Sequence, residues 1–328
     1  MAGPGNGPLV VGVDLGGTKI VAGVIDAHHT IIGRAKKSTP AQEGQQAILE
    51  AIAACIAEAL DVAGVGPAEV IGIGVGSPGP LDAEGGVILY SANMEVRDFA
   101  LGPGLSRLFD RPVLVQNDVR VGGYGEFRLG AGRGYRDVLA AFVGTGIGGC
   151  LILGGQIVAG ATGNAGEIGH ITLKAGGPEC GCGRRGCLEA LASRTAIARR
   201  IQKAVRKGVS TSLRPKIDAK SDKLKSKDLA AAFAAGDALT IKEVRRAAHF
   251  LGLGLGSLVN VLGPEIVILG GGVTEALGPP YVDLVRESAR RQIMADPERR
   301  VKIEPAALGD DAGILGAALM ARERFTIG

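Results

Sequence analysis

Three cysteines, Cys180, Cys182 and Cys187, fall within the octapeptide CGCGRRGC, and His170 lies ten residues before the first of them. Three thiolates and one imidazole are a tetrahedral donor set of the kind that holds structural zinc. A closed site of this type stabilises a fold rather than catalyses. Two other readings stand beside it: reduced thiols without metal, and a disulfide. The remaining cysteines, Cys55 and Cys150, lie in apolar runs and read as core. Glu167 precedes His170 by three residues and Glu189 follows Cys187 by two. A metal that fixed both segments would therefore fix two carboxylates as well. Carboxylates that accept from several hydroxyls suit a sugar, although either glutamate could equally be surface charge.

Two glycine turns follow apolar runs: Gly16-Gly17-Thr18-Lys19, and Gly144-Thr145-Gly146 continuing into Ile147-Gly148-Gly149. Glycine lets the backbone approach phosphate oxygens, and threonine hydroxyls and backbone N–H groups supply donors. Either alone could be a tight turn. The first lacks the GxxxxGK[ST] spacing of a P-loop and the helix that follows a dinucleotide fingerprint. Together with a third cluster, Gly270-Gly271-Gly272, they point to nucleotide phosphates. Asp14 is then a candidate to hold Mg²⁺, directly or through water, and Lys19 to meet phosphate charge. Asn117-Asp118 ends an apolar run, where a doubly wound sheet places its ligands. A carboxylate there could take the proton of an attacking hydroxyl. It could equally cap the next helix.

These residues need a scaffold, and the periodicity supplies one. Residues 9–26 read as a hairpin, 45–65 as a helix ending near Gly64, 70–81 as a buried strand entering a Pro/Gly loop, and 111–119 as a strand. The stretch 138–160 repeats the opening theme, which predicts two halves of related topology. Helices are expected in RTAIARRIQKAV, from Ser226 to Ala235, and in IKEVRRAAHFLGLGLGSLVNVL. A strand is expected at 265–273 and a final helix in DAGILGAALMARERF. A chain of 328 residues suggests about two domains. The expected division is a smaller α/β domain, 1–118, onto which a C-terminal helix at 309–328 packs back, and a larger one, 119–308. With 3% aromatics and no Trp, the core must be built from Ala, Val, Ile and Leu.

The net charge of +4 is local, with nine Lys/Arg against three Asp between 201 and 230. That stretch has no aromatic residue, so a solvated helix and loop is expected rather than a nucleic-acid face. Its segment Lys216 to Lys227 reads as a mobile loop. The start, MAGPGNGP, is not a signal peptide, and no run is long enough to span a membrane. The expectation is a cytoplasmic protein, a compartment that weakens the disulfide reading.

The stretches VGVDLGGTKI, GVGSPGPLD, QND, GTGIGGCLILGGQIVAGATGNAGEIGH, CGCGRRGCLE, EIVILGGGV and LGDDAGILGAA occur in order over almost the whole chain. In them the sequence resembles the ROK family of sugar kinases, close to its bacterial glucokinases. The resemblance implies an actin-like ATPase (ribonuclease H-like) fold, two α/β domains with the site in the cleft. It implies ATP and Mg²⁺ at Asp14, Gly16, Gly17, Thr18, Lys19, Gly144, Thr145 and Gly146, with Gly271 and Gly272 near adenosine. Asp118 would be the base for the sugar 6-hydroxyl. Asn93, Asn117, Glu167, His170 and Glu189 would contact sugar hydroxyls. His170, Cys180, Cys182 and Cys187 would ligate Zn²⁺. A small-molecule hexose, a nucleotide and a second copy in a homodimer are the implied partners.

Two departures from the family pattern stand out. Arg120, bulky where many relatives carry small residues, bears on substrate preference, and the Lys-rich stretch 216–227 is longer than usual. Other hexoses (fructose, mannose, N-acetylglucosamine, N-acetylmannosamine) and polyphosphate as donor are the alternatives. A transcriptional repressor of the same family would need a DNA-binding segment ahead of the first hairpin, where only about a dozen residues stand.

Overall fold

A computed structural model describes residues 7–91, 93–218, 224–294 and 301–326. The chain forms two compact units, 1–130 with 310–328, and 131–309.

The first unit opens with β1 (Leu9–Leu15), β2 (Lys19–Ile25) and β3 (Ile31–Ser38), then α1 (Gln45–Ala63) and β4 (Val70–Ser77). Three short strands follow, β5 (Leu81–Asp82), β6 (Val87–Ser91) and β7 (Val96–Phe99). The unit continues with α2 (Leu101–Phe109), β8 (Val113–Asn117) and α3 (Asp118–Leu129). The main sheet has order β3-β2-β1-β4-β8. β1 to β3 pair antiparallel, whereas β4 and β8 run parallel to β1. α1 buries Ile48, Ile52 and Ile56 against Val11, Val13 and Ile20 of that sheet. It stops at Gly64, whose φ of 69° is the left-handed C-cap that glycine adopts without strain.

The second unit comprises β9 (Val138–Val143), β10 (Ile147–Leu153), β11 (Gln156–Ile157), α4 (Leu188–Ala192), α5 (Arg194–Arg206) and α6 (Arg214–Asp218). Then come α7 (Ser226–Ala234), α8 (Ala238–Leu262), β12 (Ile266–Gly270), α9 (Gly272–Leu277), α10 (Pro279–Arg290) and β13 (Lys302–Pro305). Its sheet, β11-β10-β9-β12-β13, repeats the strand order and directions of the first. Related halves are thus present, as the repeated hairpin theme predicts.

The last helix, α11 (Ala312–Thr326), belongs to the first unit. It lies on β1, β4 and α3, and the approach is backbone to backbone. A Cβ on Gly12 would overlap the carbonyl of Ile314, one on Gly74 that of Ala317, and one on Gly316 that of Val121. Because α3 packs on α11, the division falls after Gly130 and not after Asp118.

The Lys-rich segment 216–227 is not a loop throughout. Lys216 lies in α6 and pairs with Asp228 of α7, Lys227 lies in α7, and 219–223 fall outside the described residues. Cys55 and Cys150 are buried, as expected. Among the described residues, no helix is long and apolar enough to cross a membrane.

Candidate active site

In the first unit, parallel register brings the acidic residues to one edge of the sheet. Asp14 of β1 lies level with Gly76 of β4, and Ser77 of β4 level with Asn117 of β8. Asp14 near the end of β1, and Asn117 and Asp118 where β8 passes into α3, therefore stand at the carboxyl edge of the sheet on either side of β4, the edge where open α/β sheets bind ligands. Gly76 permits this. A Cβ there would meet Val121 at 2.5 Å and the Cα of Asp118 at 3.5 Å.

The first glycine turn sits beside these residues. Gly16 N donates to Lys19 O at 2.8 Å, and the Thr39 hydroxyl donates to Gly16 O at 2.6 Å. Asn93 packs over Gly17, where a Cβ would come within 3.0 Å of it. Burial pushes the Asp14 carboxyl above its ordinary range, Lys19 pulls it down, and Asp310 pushes it up again. Lys19 Nζ is bound to Asp310 at 3.0 Å and holds that carboxyl low. One lysine thus serves two carboxylates, and a bound dication would supply the missing positive charge. Gly313 of α11 closes on Asp14, with a Cβ only 3.0 Å from the carboxyl carbon. Asp310 was absent from the sequence expectations. Its partner is 291 residues away, so no local pattern could reveal it.

Asn117 takes the cap role left open above, since its Oδ1 accepts from Arg120 N at 3.1 Å. Asp118 begins α3, and its Oδ1 accepts from Val119 N at 2.8 Å. The buried Arg120 donates from Nη1 to Gln116 Oε1 at 3.1 Å.

In the second unit, His170, Cys180, Cys182 and Cys187 converge. Their donor atoms all lie within 4.8 Å of one another. Cys182 Sγ and Cys187 Sγ are 3.7 Å apart, and Cys180 Sγ is 3.8 Å from His170 Nδ1. A tetrahedron with metal–sulfur bonds of ~2.3 Å has edges of ~3.8 Å, so the set fits a zinc ion. None of the five cysteines is in a disulfide. Burial pushes the Cys180 thiol up to about 12 and raises Cys187 too, whereas hydrogen bonds from Arg184 bring Cys182 down to about 6. A dication is what two buried thiols need in order to ionise. The far ring nitrogen of His170, Nε2, faces Glu167 at 4.0 Å.

This cluster is joined to the second glycine turn. Glu189 Oε1 accepts from Cys180 Sγ at 3.4 Å, and Glu189 Oε2 accepts from Ile147 N at 3.0 Å. Any Cβ at Gly146 would overlap that carboxylate. The loop before His170 presses on β10 at two more glycines: a Cβ on Gly149 would come within 2.6 Å of Gly166 O, and one on Gly169 would overlap Ile147 O. Gly271, with φ of 85°, seats on the end of β9, where a Cβ would meet Val143 N at 2.7 Å. The structure thus brings Gly144 to Gly146, Gly271, Glu189 and the metal donors into one neighbourhood. A Cβ on Gly272 would face Ser226, at 3.5 Å from its hydroxyl oxygen. Arg194 and Thr195, which hold the turn from the start of α5, were not expected from the sequence. They sit inside a helical pattern that gives no sign of its neighbour.

Two sheets of one topology, each opening on a glycine hairpin, define the actin-like ATPase class. The chain belongs to the ROK family, whose profile matches residues 10–324. It is 34% identical to a glucokinase of Halalkalibacterium halodurans over 96% of this chain and 95% of that one. Among solved structures it resembles a ROK hexokinase from Thermus thermophilus, with 38% identity, a TM-score of 0.82, and 98% and 100% of the two chains covered. It also resembles a ROK family glucokinase from Streptomyces griseus in complex with glucose and AMPPNP, with 34% identity, a TM-score of 0.82, and coverage of 96% and 99%.

Proposed function

We propose that this chain, a hexokinase-type sugar kinase, transfers the γ-phosphoryl group of ATP to the 6-hydroxyl of glucose. The observation that carries the reading is the set of Asp14, Asn117 and Asp118 at the carboxyl edge of one sheet, from the ends of β1 and β8, beside a glycine hairpin. The glucokinase relatives over nearly the full length support glucose as the acceptor.

Asp118 is the general base in this reading. It accepts the 6-hydroxyl proton, the freed oxygen forms a bond to the γ-phosphorus, the bond from that phosphorus to the β,γ-bridging oxygen breaks, and ADP leaves. Hairpin N–H groups, Lys19 and the N–H groups of Thr145 and Gly146 bind phosphate oxygens. Asp14 is the candidate Mg²⁺ ligand, direct or through water. Asn93, Asn117, Glu167, His170 and Glu189 contact sugar hydroxyls. The four zinc donors would hold an ion whose contribution is structural, fixing the loops that carry Glu167 and Glu189. The homodimer implied by the resemblance is part of the same reading, and light scattering tests it.

The test is ADP release from MgATP against a panel of hexoses and N-acetylhexosamines. Glucose is expected to give the highest kcat/KM. Asp118→Asn should lower kcat by about 10²–10⁴-fold with little change in KM. Near-normal turnover of that variant would remove Asp118 from the role, and turnover confined to another sugar would replace the acceptor.

A further inference from the structure

The start of α5 carries positive charge that the mechanism above does not use. Arg194 Nη2 donates to Thr145 Oγ1 at 2.5 Å, and Arg194 N donates to Gly144 O at 3.0 Å. The Thr195 hydroxyl donates to Thr145 O at 2.7 Å. The first two residues of the helix are thus clipped to the tip of the second glycine hairpin. Beside that tip opens a cavity of about 360 Å³, lined by Thr145, Arg194, Thr195, Arg199 and Gln202, with Ala198 and Leu224 as its apolar part. Among the described residues, no carboxylate forms an ion pair with Arg194 or Arg199.

An arginine in the first turn of a helix stands at the positive end of the helix dipole, a placement that costs stability. The cost is removed by an anion that meets the guanidinium and the hairpin N–H groups together. Guanidinium binds phosphate oxygens in a fixed fork, and the bond to Thr145 aims that fork at the hairpin tip.

We propose that Arg194 is a binding residue for the phosphoanhydride chain of the phosphoryl donor. The inference rests on reading the second hairpin as a donor-phosphate segment. It does not depend on which sugar is the acceptor. A nucleoside triphosphate and inorganic polyphosphate share this chemistry, and the test separates them.

The experiment is calorimetric titration of the full chain, without sugar, with AMPPNP, ADP, adenosine and tripolyphosphate, for wild type, Arg194→Ala and Arg194→Lys. Loss of a charge-assisted contact should weaken AMPPNP and ADP by about tenfold or more in Arg194→Ala. Arg194→Lys should recover part of that loss, and adenosine should bind alike in all three. If tripolyphosphate binds wild type and weakens in parallel, the site accepts the chain without a nucleoside. If only the nucleotides bind, the nucleoside is required as well. Either result supports Arg194 as the phosphate ligand. Unchanged AMPPNP affinity in Arg194→Ala would overturn the inference, as would an equal loss of adenosine, which would mean that the cavity had changed shape. Arg194-dependent AMPPNP binding in a chain that fails to phosphorylate glucose would overturn the acceptor reading alone.

Discussion

Glu189 has one carboxylate oxygen toward a cysteine of the metal-donor cluster and the other on the backbone of the second glycine hairpin. A change at the cluster therefore reaches the hairpin through one side chain. Cys180→Ala removes a donor from that side and should abolish binding of one zinc per chain, read by metal analysis. It should also lower the thermal midpoint, because metal affinity is folding free energy for the loops it ties. A variant with no zinc but wild-type stability and activity would refute the structural role. Much at this scale was legible in the sequence. The donor set is four residues within eighteen positions, so its spacing alone made it a candidate metal site, beside the readings as reduced thiols or a disulfide. The Lys19–Asp310 pair and the Arg194–Thr145 bond were not legible, because each joins distant parts of the chain whose meeting only the fold decides.

Among the elements, α8 shows how local signals and long-range packing divide the work. Its N-cap is Asp237, which accepts from Thr240 N at 2.8 Å through one oxygen and from Ser212 N at 2.7 Å through the other. Burial pushes its carboxyl up, but the N–H groups of Ser212 and Thr240 outweigh this and hold it at about 2. The folded value is depressed, so the contribution is complete above the ordinary carboxylate range and is lost as pH falls from about 4 toward 2. Asp237→Ala should cost about 1 kcal/mol at neutral pH. Urea unfolding at pH 7 and near pH 3 should show the gap between variant and wild type closing on acidification. A constant gap would show that the cap does not act through its charge. α3 is the opposite case. Its sequence, DVRVGGYGEFRL, holds three glycines and reads poorly as a helix. Gly125 is needed because α11 comes so close: a Cβ there would meet Ala312 O at 2.6 Å. Tertiary packing overrides propensity, and it places α3 with the first unit, whose division falls after Gly130 where the expected one lay after Asp118, the first residue of α3. The strands β5 to β7, two to five residues each, were too short for periodicity to reveal.

Across the whole molecule, one topology is used twice, and the glycine clusters mark the same place in each copy. The first unit differs in how it is completed, since α11 covers the face of β1 and β4 and also packs on α3. Gly316 lies where a side chain would collide with the backbone of α3. Gly316→Ala should therefore destabilise by about 1–3 kcal/mol, measured as a fall in the thermal midpoint of several degrees. A variant that unfolds at the wild-type temperature would mean that the two helices can separate at no cost.

That covering helix also sets an order of events during synthesis. β1 and β4 are made before the second unit, with glycines where α11 will press on them, and their lid is encoded only after the entire second unit. The second unit is contiguous in the chain and can close on itself as it emerges. The first must wait with an unroofed sheet until α11 is released. A nascent chain of this protein therefore offers chaperones a predictable client: the sheet of the first unit with one bare face, lasting until α11 has emerged.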